Sequence, residues 1–411
     1  MTHTTPSGGS ARHQAVAAVF LLAVFVSTIG DEISAIAVLV ELAGSGRSLL
    51  VAALLTLQLA PGVLLAPLAG QLLDRRDAGR ALVLVSLLQA GALLMMSAWP
   101  VTPVLLAGTA VVGTGAAVAT PAAIVLMPIL AGEAFPARAN GLLEAGRAAS
   151  TLLGPVLGGV LVAAWGLRTA LLADALSFAV AAGAIALARV RRPVRGDGRP
   201  WWQGATDGVR FLSRQSGLRA VLPVVVLTVS AASTVNVAMV FFVTGPLDST
   251  GTVLGVLTAA WGAGALVGAG VAARREWAVP ERAVQTGAIA LGLAVLVFGA
   301  VAVTGVCVVM AVCAGAANAY QNIAMRTCVQ LRTPEELRGR AHAAAGSVVN
   351  AFFLVGYALG GLSAADHPRA TFLVAGLVTA LAAGTGLALS AARARRAPEA
   401  PTGTGRVDTA C

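Results

Sequence analysis

Two glycine-rich passages about 200 residues apart constrain this chain more than any other feature. The first runs Arg138-Ala139-Asn140-Gly141 and then Gly154-Pro155-Val156-Leu157-Gly158-Gly159. The second runs Arg340-Ala341-His342-Ala343 and then Gly356-Tyr357-Ala358-Leu359-Gly360-Gly361. In both, the arginine precedes the first glycine by 16 residues and the glycine pair by 20. Both lie in apolar stretches long enough to cross a bilayer. Two related membrane halves are the arrangement in which one half can rock against the other around a shared central site. A second echo supports the duplication: Gly62 and Gly70-Gln71-Leu72-Leu73-Asp74-Arg75 correspond, 200 residues on, to Gly262 and Gly270-Val271-Ala272-Ala273-Arg274-Arg275. Asp74 becomes Arg274, so the two loops differ in chemistry.

The chain is 57% hydrophobic and 11% charged, too apolar for a soluble protein of 411 residues. Twelve spans can be laid down, at 14–38, 48–70, 79–99, 103–130, 139–163, 168–188, 219–244, 252–273, 283–303, 305–330, 340–363 and 369–392. Each is about 20 residues or longer, the length that crosses ~30 Å of hydrocarbon as a helix. Backbone groups must be bonded internally in lipid, so the spans are predicted helical, and no barrel-like alternation is visible. The first span reads as a retained helix rather than a cleaved leader.

The net charge is +10, carried by 28 basic residues that are all arginine. With the N-terminus inside, about 23 of them fall in cytoplasmic segments. Arg47, Arg168 and Arg369 fall outside, and Arg147 and Arg326 lie within spans. That bias predicts cytoplasmic termini in a cell inner (plasma) membrane, with the arginines meeting anionic lipid rather than nucleic acid. The expected organisation is a tail over 1–13, a six-helix bundle over 14–188, a cytoplasmic linker over 189–218, a second bundle over 219–392 and a tail over 393–411. Within the linker, Trp201-Trp202 and Asp207 to Leu212 are predicted to lie in the membrane interface. The four cysteines, Cys307, Cys313, Cys328 and Cys411, have neither zinc spacing nor a disulfide pattern. No metal or cofactor motif is present, and Gly262-x-Gly264 sits mid-span, where it serves packing rather than nucleotide binding.

Together these motifs resemble the major facilitator superfamily. Gly70-x-Leu72-x-Asp74-Arg75, with Arg80 beyond, looks like the family's loop between helices 2 and 3, although Arg76-Asp77-Ala78-Gly79 loosens the usual spacing. That looser form, with Gly30-Asp31, Asp207 to Leu212 and Pro334-Glu335-Glu336-Leu337-Arg338-Gly339-Arg340, resembles the branch of macrolide and other drug efflux proteins and the enterobactin exporter. Gly154-Pro155-x-x-Gly158-Gly159 resembles the antiporter motif associated with export. In physical terms, Ser150, Gly154 and Gly158 recur every four residues and give a flat face for close helix packing, and Pro155 bends or stiffens that helix. Asp74 is suited to a helix start near Gly339 and Ala341, where free N–H groups favour an anion. With Arg75, Arg80, Arg338 and Arg340 it is expected to latch the halves on the cytoplasmic side; a solvated topogenic charge run is the alternative.

The resemblance implies an all-α membrane protein, with twelve transmembrane helices in two pseudo-symmetric six-helix bundles and a central cavity lined in part by the first span. Charges within spans are costly and mark function. Asp31 and Glu32 are therefore proton-coupling candidates, because a carboxyl group partly withdrawn from water holds a proton more readily. Glu144 is a third candidate, three residues from Arg147 and able to pair with it. Arg147, Asn236, Asn318, Gln321 and Asn322 are the candidates for contact with substrate. Asp174 is read as structural, since the sixth helix is peripheral in the resembled fold. The expected function is secondary active export of a small organic molecule, a drug, siderophore or secreted metabolite, by proton antiport and alternating access. The partners are then a small-molecule substrate, protons and the bilayer, with the chain a monomer. Uptake and a non-transport receptor or scaffold role are the alternatives. An intramembrane enzyme would need a dyad or metal site that His3, His13, His342 and His367 do not supply.

Overall fold

A helix of 36 apolar residues would be about 54 Å long, nearly twice the thickness of the hydrocarbon core. The stretch Leu152–Leu187 has that length, so it must turn back within itself. It does so at Gly166, with φ 78° and ψ 177°, which divides the helical run Pro136–Ala188 into two arms. These are α5 (136–165) and α6 (167–188). A positive φ of this kind is open to glycine at little steric cost. The sequence leaves 164–167 outside both predicted spans, in agreement with this break.

In the computed structural model, residues 8–75, 77–131, 136–188, 215–275, 277, 279–334 and 338–396 are described. The remaining elements are α1 (Gly8–Ala43), α2 (Ser48–Arg75), α3 (Ala78–Ala98), α4 (Thr102–Ala131), α7 (Ser216–Thr244), α8 (Gly251–Ala273), α9 (Pro280–Ala300), α10 (Thr304–Arg332), α11 (Arg338–Ser363) and α12 (Pro368–Arg396). With the long run counted as two, twelve membrane-length helices are present among the described residues, as the sequence predicts. α1 starts at Gly8, inside the expected tail, because Ser10 to Ala15 contains neither glycine nor proline to stop a helix. The linker through residue 214, with Trp201, Trp202 and Asp207 to Leu212, and the C-terminal tail from 397 lie outside the described residues.

The glycine repeat has one structural meaning in both halves. In α5, Ser150 Oγ donates to Phe25 O at 3.4 Å. A Cβ at Gly154 would strike Glu32 Cβ, and one at Gly158 would lie 3.0 Å from Ile33 Cα. Contacts on both helices climb together, so α5 runs parallel to α1. In α11, a Cβ at Gly356 would lie 2.5 Å from Ser233 Cβ and one at Gly360 2.8 Å from Val237 Cβ, both on α7. Thr234 Oγ1 donates to Gly356 O at 3.0 Å across the same seam. The first two glycines of each motif therefore close α5 on α1 and α11 on α7, within a bundle.

The third glycine of each motif faces the other bundle. A Cβ at Gly159 would lie 2.7 Å from Gly251 O on α8, and one at Gly361 would lie 2.8 Å from Ala52 Cβ on α2. Gly255 returns the first contact against Val156 Cα, 3.2 Å from its would-be Cβ, and Ser48 Oγ donates to Gly361 O at 2.9 Å. All of these lie toward the end that carries the α1–α2, α5–α6, α7–α8 and α11–α12 connections, here called the distal end. One buried apolar cluster spans both bundles there, with Ile36, Val51, Val237, Phe241, Leu254 and Tyr357 among its members. The clusters nearer the chain termini each belong to a single bundle. The buried contacts between the bundles named here, at Gly159, Gly255 and Gly361, lie in the distal half.

α8 and α10 approach more closely still. A Cβ at Gly268 would lie 2.8 Å from Ala316 Cα and closer to the neighbouring carbonyl, and Gly315 faces the Trp261 backbone in the same way. Backbone cannot move aside as a side chain can. Gly268→Leu should therefore cost at least ~1–3 kcal/mol of overpacking and lower the unfolding midpoint of detergent-purified protein. A midpoint equal to wild type would contradict this packing.

Candidate functional site

Three consecutive residues of α1 face three different neighbours, since each step turns the helix by about 100°. Gly30 faces α6, where the missing side chain makes room for the Asp174 carboxylate and Ser177 Oγ. Asp31 faces the interior of the N-terminal bundle. It lines a cavity of about 260 Å³ with Ser27 and Thr28 of α1, Ser86 and Gln89 of α3, Thr120 of α4 and Phe178 of α6. Glu32 packs beside Gly154 of α5. It also lines a second cavity of about 240 Å³, with Asp31, Gln58 of α2 and Thr109 and Gly113 of α4. Asp31 is common to both cavities, and among the described lining residues of either there is no basic side chain.

The polar groups around Asp31 are short of donors. Gln89 is 1% exposed; its Nε2 donates to Val112 O at 3.1 Å, but its Oε1 has no partner among the described residues. Asp174 is fully buried. Ser177 Oγ donates to its Oδ1 at 3.1 Å, while the Ser34 hydroxyl donates to Asp31 O at 3.1 Å. Asp174 Oδ2 and Asp31 Oδ1 are likewise buried without a partner. A buried acceptor left unpaired costs ~1–3 kcal/mol, and more if charged. The sequence alone marks Asp174 as structural and does not single out Gln89. Gln89 lies inside an otherwise apolar span, and that is the signal the sequence offers for it.

The second bundle offers a different surface. Asn318 and Asn322 of α10 are four residues apart, with Asn322 Nδ2 donating to Asn318 Oδ1 at 3.0 Å. Arg326 follows four residues later, exposed like Asn322. Exposed polar groups within a span belong on a watery face, so this stripe fits the gap between the bundles on the side away from the distal closure. Asn236 of α7 is exposed and lies beside the Tyr357 hydroxyl. Gln321 differs from the sequence expectation: it is 3% exposed and packs over Gly287 of α9, inside its own bundle. Being one residue from Asn322, it points round the helix from the stripe.

The surroundings of Gly70 and the side chains of Asp74, Arg75, Glu144, Arg147, Arg338 and Arg340 lie outside what is described. Arg80 is exposed. In the loop between α2 and α3, Asp77 caps α3: its Oδ1 accepts from Gly79 N at 2.9 Å and from Arg80 N at 3.4 Å. At the same end of the second bundle, Arg332 pairs with buried Glu281 at 2.7 Å. Neither interaction stands out in the sequence. Among the described residues, no three His, Cys, Asp or Glu side chains gather in a metal-binding cluster.

Comparison with known proteins agrees with this architecture. The model of the Major Facilitator Superfamily matches residues 20–348. The lysophospholipid transporter LplT of Yersinia pestis is 35% identical over 223 residues, 52% of this chain and 52% of its own. The same protein of Yersinia pseudotuberculosis gives the same values. The chain thus matches about half the length of these curated relatives, which are lysophospholipid transporters rather than drug or enterobactin exporters. Among solved structures, the nucleoside transporter NupG is similar with a TM-score of 0.74 at 11% identity, over 91% of this chain and 99% of that one. A POT family transporter in complex with a thioalcohol-conjugated peptide gives 0.73 at 11% identity, over 92% and 96%. A bacterial homologue of the human lysosomal transporter Spinster, inward-facing and unoccupied, gives 0.68 at 12% identity, over 92% and 98%. At these identities the structural likeness concerns the fold alone.

Proposed function

The chain belongs to the major facilitator superfamily, a family of transporters and not of enzymes, and on that premise we propose that it is a secondary active exporter of a small amphipathic organic molecule. It works by alternating access, with protons as the opposing flux and Asp31 as the principal proton carrier. The observation that carries this reading is the paired use of one glycine motif. Gly159 and Gly361 hold the bundles together at the distal end, while the buried contacts described elsewhere stay within one bundle. Rocking about such a seam exposes a central cavity to one side and then the other. The antiporter-like Gly154-Pro155-x-x-Gly158-Gly159 favours export. The stripe Asn318, Asn322 and Arg326 and the exposed Asn236 supply polar groups for a substrate headgroup. The likeness to the Yersinia lysophospholipid transporters supports putting single-chain phospholipids first among the candidates, ahead of drugs and siderophores.

Cells with and without the protein, loaded with a panel containing fluorescent lysophospholipids, cationic drugs and siderophores, test this reading. Expressing cells should lose one class of compound faster than control cells. Equal loss of every class would contradict export. The orientation is part of the same proposal: reporter fusions at residues 197 and 408 should both be cytoplasmic, from the arginine bias. An external signal at either would overturn the arrangement of two six-helix bundles with a cytoplasmic linker and termini.

A further inference from the structure

We propose that the groove between α11 and α12, floored by α7, is a lipid site: it takes one acyl chain of a zwitterionic phospholipid from the distal leaflet, with the headgroup at Asp366 and His367. The site goes beyond the transport reading and does not depend on it. The groove holds about 500 Å³, within the ~300–1,000 Å³ of small-molecule sites. Its walls include Leu359 and Leu362 of α11 and Val374 and Val378 of α12, and its floor Leu227 and Ala231 of α7. Leu362 is 75% exposed and Val374 60%. Both walls belong to membrane-spanning helices, so the groove opens onto hydrocarbon.

Polarity changes along the groove as it does along a lipid. Ser230 and Thr234 also line the floor, but their hydroxyls are turned to backbone. Ser230 Oγ donates to Phe352 O at 3.3 Å and Thr234 Oγ1 to Gly356 O at 3.0 Å. Thr371 Oγ1 donates likewise to His367 O at 3.0 Å. The part away from the distal end thus presents an apolar surface, while the distal end is bounded by Ser363 and His367, where α11 turns into α12. The rise from Val378 to His367 is about 16 Å, half of the ~30 Å hydrocarbon core and the depth of one leaflet.

The charges at the mouth select the headgroup. Asp366 and His367 are adjacent and exposed. Arg369 is exposed beside them, with its Nη2 donating to Ala300 O at 3.2 Å. An imidazole N–H and a guanidinium suit a phosphate, and the Asp366 carboxylate suits an ammonium. A headgroup with both, as in phosphatidylethanolamine, is matched. A purely anionic headgroup meets Asp366, and an uncharged one leaves these groups unused. The groove also adjoins the distal closure, since Gly361, which meets Ala52 of α2, lies between Leu359 and Leu362 in the chain. A lipid chain seated here packs on the same stretch of α11 that closes on α2.

Native mass spectrometry of the purified full chain in detergent tests the site, with phosphatidylethanolamine, phosphatidylglycerol and diacylglycerol of equal chain length added in turn. Wild type should retain one phosphatidylethanolamine under activation that strips detergent and further lipid. Val374→Trp, which fills the groove from an exposed position, should reduce the retained fraction at least several-fold. His367→Ala should weaken apparent affinity ~10-fold, the size expected for one hydrogen bond to a charged group. Leu84→Trp, at an exposed position on α3, should behave as wild type. The proposal is overturned if wild type retains no lipid, or if either groove variant retains it as wild type does. It is overturned equally if phosphatidylglycerol or diacylglycerol is held as tightly as phosphatidylethanolamine. A lipid-free dimer that Val374→Trp dissociates would also overturn it, by assigning the groove to a second copy of the chain.

Discussion

Gly255→Leu will pry the distal closure open. A Cβ at this position already meets the Pro155 carbonyl and lies 3.2 Å from Val156 Cα, so a leucine has only backbone to push against. An overpacking cost of about 2 kcal/mol, borne only by the closed state, shifts the ratio of closed to open molecules ~30-fold. Spin labels at Ser45 and Thr250, in a background with the four native cysteines replaced, report the gap between the two bundles directly. The variant should move most molecules to a longer distance. Gly270→Leu, where a Cβ has open space, should leave the distribution unchanged. If Gly255→Leu leaves it unchanged as well, the α5–α8 contact is not the seam about which the bundles separate.

Asp31→Asn is expected to abolish proton-driven export. The variant keeps the size of the side chain and removes its ability to release a proton. Substrate binding should persist and lose its dependence on pH, because the group that links the two is gone. Glu32→Gln should have a milder effect: Glu32 packs at the α1–α5 seam beside Gly154 and reaches only one of the two cavities that Asp31 lines. Vesicles carrying Asp31→Asn that still accumulate substrate under an imposed proton gradient would move the coupling acid elsewhere, with Glu144 the next candidate.

Much of the fold is legible in the sequence because its signals are local. Length, apolarity and the gap at 164–167 mark the helices, and glycines four residues apart mark the flat faces. What each face packs against is not legible. Gly158 and Gly159 are neighbours in sequence, yet one touches α1 and the other α8, a difference that depends on how the bundles meet. The same holds at the site. A charge within a span is conspicuous, so Asp31 and Glu32 stand out; which of them faces α3, α4 and α6 is set by the rotation of α1. Asp174 reads as structural from the peripheral place of its helix, whereas its carboxylate enters the gap left by Gly30. Gln89 escapes notice because a single amide in an apolar helix carries no charge. Gln321 lies in a run of polar residues whose faces cannot be sorted by composition, and tertiary packing turns it toward Gly287.

The most direct test of the whole account uses the purified chain reconstituted in liposomes, with a fluorescent lysophospholipid outside and a pH gradient imposed across the membrane. Antiport by alternating access predicts accumulation inside when the interior is acidic relative to the bath, as protons leaving drive substrate in. The accumulation should collapse when a protonophore removes the gradient. Accumulation only with an alkaline interior, or uptake of the same extent with no gradient, would contradict it.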